Sequence, residues 1–297
     1  MREIFRDLAA YVSRSWWHAY GVLGFFVLFS LYFMPATLMA LALLAFLLQS
    51  GGRLMHLGMI VIMLASAAVG ASFIPGRPGL ELPLVVMLTP VVAVAAIRLR
   101  DGGLGQALAV MTGMLASGVI ILEWVSGNAM QFWQGWLERA IKGVPGAGLQ
   151  GFEDDGTLMI MSGLVATLLG MISFGSLLLG CWMRRIVDGR PDFAALYQAM
   201  TLPLAGNLIL PLLIVAVGFW KSEVQKDLMV LLSFPYAFLG LAVLHMVVDR
   251  ARWPWFLAVP PYMGIALFPV ATMVMMATLG ACDTLLHLRK KLSSLGE

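Results

Sequence analysis

Charged residues are scarce in this sequence, and their scarcity argues against a soluble fold. Asp, Glu, Lys and Arg make up 12% of its 297 residues, whereas an average soluble domain carries roughly 25%. Hydrophobic residues make up 61% of the chain, and the net charge is +3. This charge comes from short basic loops rather than from a long basic tract, so nucleic-acid binding is not expected. The chain is predicted to be an integral membrane protein that contacts the lipid bilayer.

Cysteine is almost absent, and the motifs of common enzymes are missing. Cys181 and Cys282 lie far apart, each within an apolar run, which indicates neither a disulfide framework nor a thiolate metal site. The sequence contains no GxxxxGK(S/T) phosphate loop, no HExxH, no GxSxG and no CxxC. We therefore expect no enzyme, no cofactor and no metal ion. A lipid-handling enzyme is a weaker alternative, for which His245 and Asp283 are the only support.

Long polar segments are also missing. No polar stretch reaches the roughly 50 residues that a compact soluble domain needs, so residues 1–297 are predicted to form a single transmembrane domain. A helix that crosses the bilayer needs about 20 apolar residues. The stretch 83–97 is short for a span but is still a candidate. The stretches that fit this length well are 55–74, 104–124, 158–183, 203–219 and 228–248.

Two further apolar tracts, 19–48 and 255–282, are longer than one span. Proline interrupts both of them: Pro35 the first, and Pro260, Pro261 and Pro269 the second. Irregular backbone at membrane depth is tolerated only where protein buries it or where it lines a wet cavity, so a cavity is predicted beside these breaks. The predicted fold class is an all-α polytopic transmembrane bundle of eight to ten membrane segments, two of them proline-broken.

Lysine and arginine in short loops mark the cytoplasmic side of a membrane protein. The loops 98–103 and 184–202 contain several arginines and are predicted inside, whereas 125–156 offsets its basic residues with acidic ones and is predicted outside. The N-terminus and the basic tail 284–297 are also predicted to be cytoplasmic. We expect the protein in the cytoplasmic (inner) membrane of a bacterium.

Two segments have the pattern of surface helices. Residues 128–142 repeat apolar side chains at i, i+3, i+4, i+7 and i+8 from Trp133, including Trp136. This pattern predicts an amphipathic helix on the outer surface. Residues 1–18 set an apolar face against charged residues and predict a basic amphipathic helix on the cytoplasmic side. That apolar face consists of Ile4, Phe5, Leu8 and Val12.

Isolated polar residues within apolar runs are candidates for a functional site. His245 and Asp249 are four residues apart, so they share a helix face, where a carboxylate can fix the charge or the tautomer of the imidazole. We interpret them as a ligand-binding or proton-handling unit, and the alternative is structural pairing with Arg250 or Arg252. Asn207 is the third candidate for ligand binding; its alternative role is a hydrogen bond to a neighbouring helix.

Asp283 and His287 repeat this four-residue spacing at the end of the last apolar tract. A negative charge at the C-terminal end of a helix opposes the helix dipole and therefore needs a cationic neighbour. Asp283 is predicted to have a structural role and to contact Arg250 or Arg252.

Three stretches in the C-terminal half carry a resemblance to a known family. They are "GCWMRRIVDGRPDFAALYQAMTLP" (180–203), "FLGLAVLH" (238–245) and "LGACDTLLHLRKKL" (279–292). In these stretches the sequence resembles the YybS-like family of uncharacterised bacterial polytopic membrane proteins. The matching positions are Trp182, Phe193, Tyr197, Gly240, His245, Gly280, Asp283 and Arg289. The resemblance implies a fold similar to that of the substrate-capturing subunits of energy-coupling vitamin transporters.

The sequence departs from this family at several polar positions. Arginines of the family are replaced at Cys181, Thr201 and Gln49, and an acidic patch is replaced by Ala194, Ala195 and Leu196. A role that depends on pairing between those arginines and acids is therefore not carried over to this chain.

Two functions are compatible with these features. The leading hypothesis is a non-enzymatic membrane protein whose broken helices enclose a cavity for a small solute and serve its transport. The alternative is a membrane scaffold that binds another membrane protein through the surface helix 128–142, with Trp133 and Trp136 in the interface.

Overall fold

The computed structural model describes residues 2–49, 84–142, 156–190, 193–203, 223–254, 256 and 259–294. Within these ranges the chain forms helices and no strand, as expected for an all-α protein. The predicted span 55–74, nearly all of the span 203–219, and the candidate ligand residue Asn207 lie outside the described residues.

The helices are numbered here in chain order. They are α1 (Arg2–Ser13), α2 (Trp16–Ser30), α3 (Pro35–Leu48), α4 (Leu84–Gly102), α5 (Leu104–Ser126), α6 (Ala129–Ile141), α7 (Met161–Val187), α8 (Phe193–Gln198), α9 (Glu223–Arg250), α10 (Val259–Leu267), α11 (Pro269–Leu286) and α12 (Leu288–Ser294). A short 3-10 helix, Thr157–Ile160, leads directly into α7.

Three of the described helical stretches are long and apolar enough to cross a membrane, namely 104–126, 157–187 and 224–250. Four shorter apolar helical stretches accompany them: 16–30, 35–49, 84–99 and 270–286. Large apolar side chains such as Trp124 and Ile121 are exposed on α5, as expected for a surface that contacts lipid. The total of eight to ten membrane segments stays a prediction.

The first proline-broken tract contains α2 and α3. Pro35 is the first residue of α3, a position where the missing N–H of proline costs no helical hydrogen bond. In the turn before it, the Phe33 N–H donates to the carbonyl of Phe29 at 2.9 Å. The turn therefore satisfies backbone groups by itself. Its side chains Tyr32, Phe33 and Met34 are exposed.

The second tract is broken at Phe268, between α10 and α11. Pro269 is the first residue of α11, and the Phe268 N–H donates to the carbonyl of Gly264 at 2.7 Å. Proline thus separates two helices in both tracts, as predicted. With nine residues and a rise of 1.5 Å per residue, α10 is about 13 Å long. It is too short to cross a hydrocarbon core of roughly 30 Å.

Helices α9 and α11 pack together through glycine. A methyl group added at Gly280 would overlap the backbone carbonyl of Tyr236, and one added at Gly240 would overlap the carbonyl of Met276. The two backbones therefore lie in direct contact, as small residues allow in membrane helices. Side chains from the last turns of both helices line a common cleft, so α9 and α11 run in the same direction.

The predicted surface helix in 128–142 is present as α6. It begins after Asn128, whose side-chain oxygen accepts a hydrogen bond from the Gln131 N–H at 2.9 Å, a usual N-cap arrangement. Trp133 donates its indole N–H to the hydroxyl of Ser162 at 2.8 Å. Because Ser162 belongs to α7, this bond ties α6 to the bundle.

The predicted N-terminal amphipathic helix is present as α1, and it packs against other helices of the bundle. Val12 is buried, and the ring of Phe5 meets Trp182 of α7 edge-on with centroids 5.4 Å apart. Ile4, which was predicted on the same apolar face, is 69% exposed. Phe5 of α1 thus covers part of the C-terminal half of α7.

The C-terminal ends of α7, α9 and α11 meet around α8 at one end of the bundle, which we call the basic end. The described cationic residues in and after the last turns of α7, α9 and α11 include Arg184, Arg185, Arg190, Arg250, Arg252, Arg289, Lys290 and Lys291. The opposite end contains the N-terminal ends of α7 and α9. There the buried carboxylate of Asp227 accepts a hydrogen bond from the Gly163 N–H at 2.6 Å, which holds these two helix ends together.

Candidate functional site

Among the residues that the structure describes, two clefts flank α8 at the basic end. The aromatic cleft, of about 570 Å³, lies between α7, α8, α9 and α10. The polar cleft, of about 560 Å³, lies between α8, α9, α11 and α12. Gln198, the last residue of α8, lines both clefts. Both volumes fall within the roughly 300 to 1,000 Å³ that is typical of small-molecule sites.

His245 is half-buried in the wall of the aromatic cleft. Its Nδ1 lies 2.7 Å from the carbonyl oxygen of Leu241. Because a carbonyl only accepts, Nδ1 carries a proton and donates it. In a neutral ring Nε2 is then the acceptor, and the hydroxyl of Tyr262 donates to it at 3.2 Å. The backbone of α9 thereby fixes the tautomer of His245 and directs Nε2 toward α10.

Tyr197 of α8 forms a second polar element of the aromatic cleft. Its ring meets the imidazole of His245 edge-on, with centroids 5.7 Å apart, and its hydroxyl donates to the carbonyl of Phe238 at 3.2 Å. Burial raises the pKa of the Tyr197 hydroxyl well above its usual value. The hydroxyl therefore stays protonated and keeps α8 bonded to α9.

Apart from the amide of Gln198, the remaining walls of the aromatic cleft are apolar, and they include Leu178, Leu179, Trp182, Phe193, Phe238 and Leu241. Among the described residues, no Asp, Glu, Lys or Arg side chain lines it. Nor does the described part of the chain contain a group of three or more His, Cys, Asp and Glu residues placed to hold a metal ion. The cleft therefore offers an apolar space with a small number of oriented hydrogen-bonding groups.

The structure shows His245 and Asp249 with separate hydrogen-bond partners. The carbonyl of Leu241 and the hydroxyl of Tyr262 engage the two ring nitrogens of His245, which leaves none for a carboxylate. Asp249 is exposed and accepts a hydrogen bond from Nε2 of Gln198 at 3.4 Å. The two residues share a helix face, as their spacing requires, but they contact different neighbours.

Asp283 is buried beside the polar cleft, and its cationic neighbour is Arg289. Nε of Arg289 lies 2.7 Å from Oδ2 of Asp283, and the backbone N–H of Arg289 donates to Oδ1 at 2.9 Å. Asp283 thus has the expected cationic neighbour, and the arginine bonded to it is Arg289, whereas Arg250 or Arg252 was predicted. Arg250 lines the same cleft, and Arg252 is exposed.

A sharp turn explains why Arg289 occupies this position. His287 follows α11 in the left-handed conformation, with φ at 52°, and its N–H donates to the carbonyl of Asp283 at 2.9 Å. The turn brings Arg289 back to Asp283. Nη1 of Arg289 also donates to the carbonyls of Gln198, at 2.6 Å, and Met200, at 2.7 Å. One guanidinium therefore links α11 and α12 to the end of α8.

The positions that carried the sequence resemblance lie close to one another in the structure. They are the aromatic-cleft residues Trp182, Phe193, Tyr197 and His245, the contact glycines Gly240 and Gly280, and the ion pair of Asp283 and Arg289. No family model matches the chain, and neither a curated protein nor a solved structure matches it. The resemblance to YybS-like proteins therefore stays a prediction from three short stretches.

Sequence reasoning missed three residues that shape these sites. Tyr262 reaches His245 from a separate helix, and the only signal for it was its place beside the proline pair in the second tract. Gln198 connects the two clefts, and no sequence pattern indicated this. Asp227 is buried, with 4% of its surface exposed. The sequence feature that could have indicated it is a carboxylate at the start of an apolar helix.

Proposed function

We propose that the protein is a polytopic inner-membrane protein that binds a small solute in the aromatic cleft and takes part in its transport. The observation that carries this proposal is the cleft itself, an apolar-walled space of about 570 Å³ that contains an oriented imidazole. Concave, mostly apolar walls with a few directed polar groups are the usual form of a small-molecule site. Arginine and lysine favour the cytoplasmic side, so the proposed solute exchanges with the cytoplasm at the basic end.

The lining favours an aromatic or heteroaromatic solute with one uncharged polar group. Trp182, Phe193 and Phe238 offer ring faces and edges, which suit stacked or edge-on contacts with another ring. Nε2 of His245 accepts a hydrogen bond, and the hydroxyl of Tyr262 both donates and accepts. A hydroxyl, amine or carbonyl on the solute can take the place of one partner in this pair.

Thermal unfolding of the full-length protein in lipid nanodiscs tests the proposal. We expect at least one compound from a panel of vitamins and heteroaromatic metabolites to raise the melting temperature. His245→Ala and Tyr262→Phe each remove one hydrogen bond, so we expect about five- to tenfold weaker binding of that compound.

Tyr32→Phe is the matched control. Tyr32 lies at the exposed turn of the first tract, 67% exposed, and does not line the aromatic cleft. This variant should bind the compound as the native protein does. The proposal fails if no member of the panel stabilises the protein, or if Tyr32→Phe weakens binding as much as Tyr262→Phe.

The alternative function, a scaffold for another membrane protein, is supported by the exposure of Phe132 on α6, which is 38% exposed. Trp133 and Trp136 are half-buried and pack edge-on against each other with centroids 5.9 Å apart, so they serve mainly to hold α6 on the bundle. A stoichiometric partner recovered from native membranes, lost with Phe132→Ala and retained with His245→Ala, would favour the scaffold.

A further inference from the structure

The imidazole of His245 offers the aromatic cleft a single lone pair, on Nε2. Nδ1 of this ring donates to the backbone carbonyl of Leu241 at 2.7 Å, and a neutral imidazole has one donor and one acceptor nitrogen. The backbone of α9 therefore occupies Nδ1, and Nε2 is the ring atom that a group within the cleft can reach. The hydroxyl of Tyr262 donates to it at 3.2 Å.

The two tyrosines that contact this ring are held differently. Tyr197 is 9% exposed, and its hydroxyl donates to the carbonyl of Phe238, so its contact with His245 is through the ring. Tyr262 is 48% exposed, and its hydroxyl reaches Nε2 from α10, a helix of nine residues. Tyr262 is therefore the partner that a solute can displace from Nε2.

The titratable groups around His245 come from three helices. Tyr197 faces the ring from α8, and Tyr262 faces it from α10. On α9 itself, Asp249 follows one turn later, and its carboxylate accepts a hydrogen bond from Gln198. The described residues of α7 that line the cleft carry no titratable side chain. Histidine is the side-chain type that exchanges a proton between about pH 5 and pH 8, whereas tyrosine does so near pH 10.

Uptake of a proton reverses the role of Nε2. Both nitrogens of an imidazolium donate, so the bond to the carbonyl of Leu241 persists, whereas the lone pair of Nε2 now holds the proton. The hydroxyl of Tyr262 can then only accept from Nε2, and a solute group that donates to Nε2 loses its acceptor. A proton and a donating group of the solute therefore cannot occupy Nε2 at the same time.

A solute hydroxyl fits the neutral form of this pair best. Placed between the two side chains, it accepts from Tyr262 and donates to Nε2 of His245, so each polar group keeps a partner. An amine N–H donates to Nε2 in the same way. A carbonyl can only accept, and it leaves Nε2 as an unsatisfied acceptor wherever the solute excludes water, which costs free energy.

We propose that a proton and the solute compete for Nε2 of His245, and that uptake of a proton from water releases the solute from the aromatic cleft. This competition rests on the proposed solute site and adds two properties to it. The solute donates a hydrogen bond through a hydroxyl or amine group, and its release is coupled to the uptake of one proton. The neutral ring binds the solute, and the imidazolium form does not.

The first test needs no solute. The full-length protein, with isotope-labelled histidine, is titrated in lipid bilayers, and the ring nitrogens are followed by magic-angle-spinning NMR. His245→Gln assigns the signals of His245 among the four histidines of the chain. We expect Nδ1 to carry a proton throughout and Nε2 to gain one between about pH 8 and pH 5. An Nε2 that keeps one state over this range overturns the proposal, whether or not a solute binds.

The second test measures the affinity of a solute from the thermal screen, chosen so that it does not itself titrate in this range. Because only the protein with a neutral ring binds, the apparent affinity should fall by up to about tenfold per pH unit as the ring takes up its proton. His245→Gln offers an amide oxygen as an acceptor that stays unprotonated. Binding to this variant should therefore be independent of pH.

His18→Gln is the matched control. His18 lies on α2 and lines a separate groove with Tyr11 and Trp17, so this variant should keep the pH dependence of the native protein. Loss of that dependence in both glutamine variants overturns the competition. A solute that binds the native protein equally well at both ends of the range also overturns it and leaves the proposed function standing, and this result decides the question if His245→Gln does not fold. If no compound binds, the proposed function fails, and the competition fails with it.

Discussion

In the first proline-broken tract, α2 and α3 meet at a turn whose side chains are exposed, with Tyr32 at 67%. In the second tract, α10 and α11 meet beside α9, and Tyr262 of α10 reaches His245 in the aromatic cleft. Both turns satisfy backbone groups locally, through Phe33 in the first and Phe268 in the second. Proline therefore supplies the change of chain direction, and the helices that pack beside the turn decide whether a cleft forms.

The largest expected effect concerns the C-terminal anchor of the second tract. Asp283→Ala leaves the guanidinium of Arg289 without its carboxylate in a site where Arg289 is only 12% exposed. Removal of one partner from a buried ion pair costs about 3 to 5 kcal/mol, so we expect a loss of stability of that order in denaturant unfolding of the purified protein.

The matched change, directly after the first tract at the C-cap of α3, is Gln49→Ala. It removes a hydrogen bond from Nε2 of Gln49 to the carbonyl of Ala45 at 2.9 Å, for which we expect a loss of at most about 1.5 kcal/mol. We thus expect the contact after the second tract to contribute more to stability than the contact after the first tract. Equal losses for the two variants would contradict this expectation.

Glycine packing gives the next contrast between the tracts. Gly280→Ala places a methyl group against the carbonyl of Tyr236, so α11 has to move away from α9, at an expected cost of about 1 to 3 kcal/mol. Gly21→Ala in α2 meets no atom within 4 Å and should stabilise by up to about 1 kcal/mol, because glycine is a poor helix former. Thermal unfolding of both variants measures the difference, and a destabilised Gly21→Ala would contradict it.

Much of the fold follows from local sequence patterns. Apolar length predicted the helices around 83–97, 104–124, 158–183 and 228–248, the spacing from Trp133 predicted α6, and proline predicted both breaks. The partners within the sites depend on long-range packing. Arg289 bonds to Gln198, which is 91 residues away in the chain, and His245 contacts Tyr262 of another helix. Spacing within one helix indicates which residues share a face, but it does not identify the neighbouring helix that covers this face.

A pair of tyrosines sharpens the contrast between buried and exposed positions. Tyr236, which contacts the second tract through its backbone, is 3% exposed, and its hydroxyl has no hydrogen-bond partner in the described part of the chain. Tyr236→Phe removes a buried, unsatisfied hydroxyl and should stabilise by about 1 kcal/mol. Tyr32→Phe at the exposed turn should leave the melting temperature unchanged. A destabilised Tyr236→Phe would show that its hydroxyl has a partner.

The smallest expected effect is that of proline itself in the first tract. Pro35→Ala should change stability by less than about 1 kcal/mol, because the backbone N–H groups of residues 31–33, 36 and 37 already donate hydrogen bonds that close the turn. The distance between spin labels at Phe25 and Met39, measured by electron paramagnetic resonance, should not change. A longer distance would indicate that α2 and α3 have merged into one straight helix.

The six residues of α8 separate two clefts with different linings. Its end is bonded to Arg289 on one side, and Tyr197 bonds it to α9 on the other. Because Gln198 at the end of α8 lines both clefts, a displacement of α8 that widens one cleft changes the shape of the other. The two clefts are thus mechanically connected through about a turn and a half of helix.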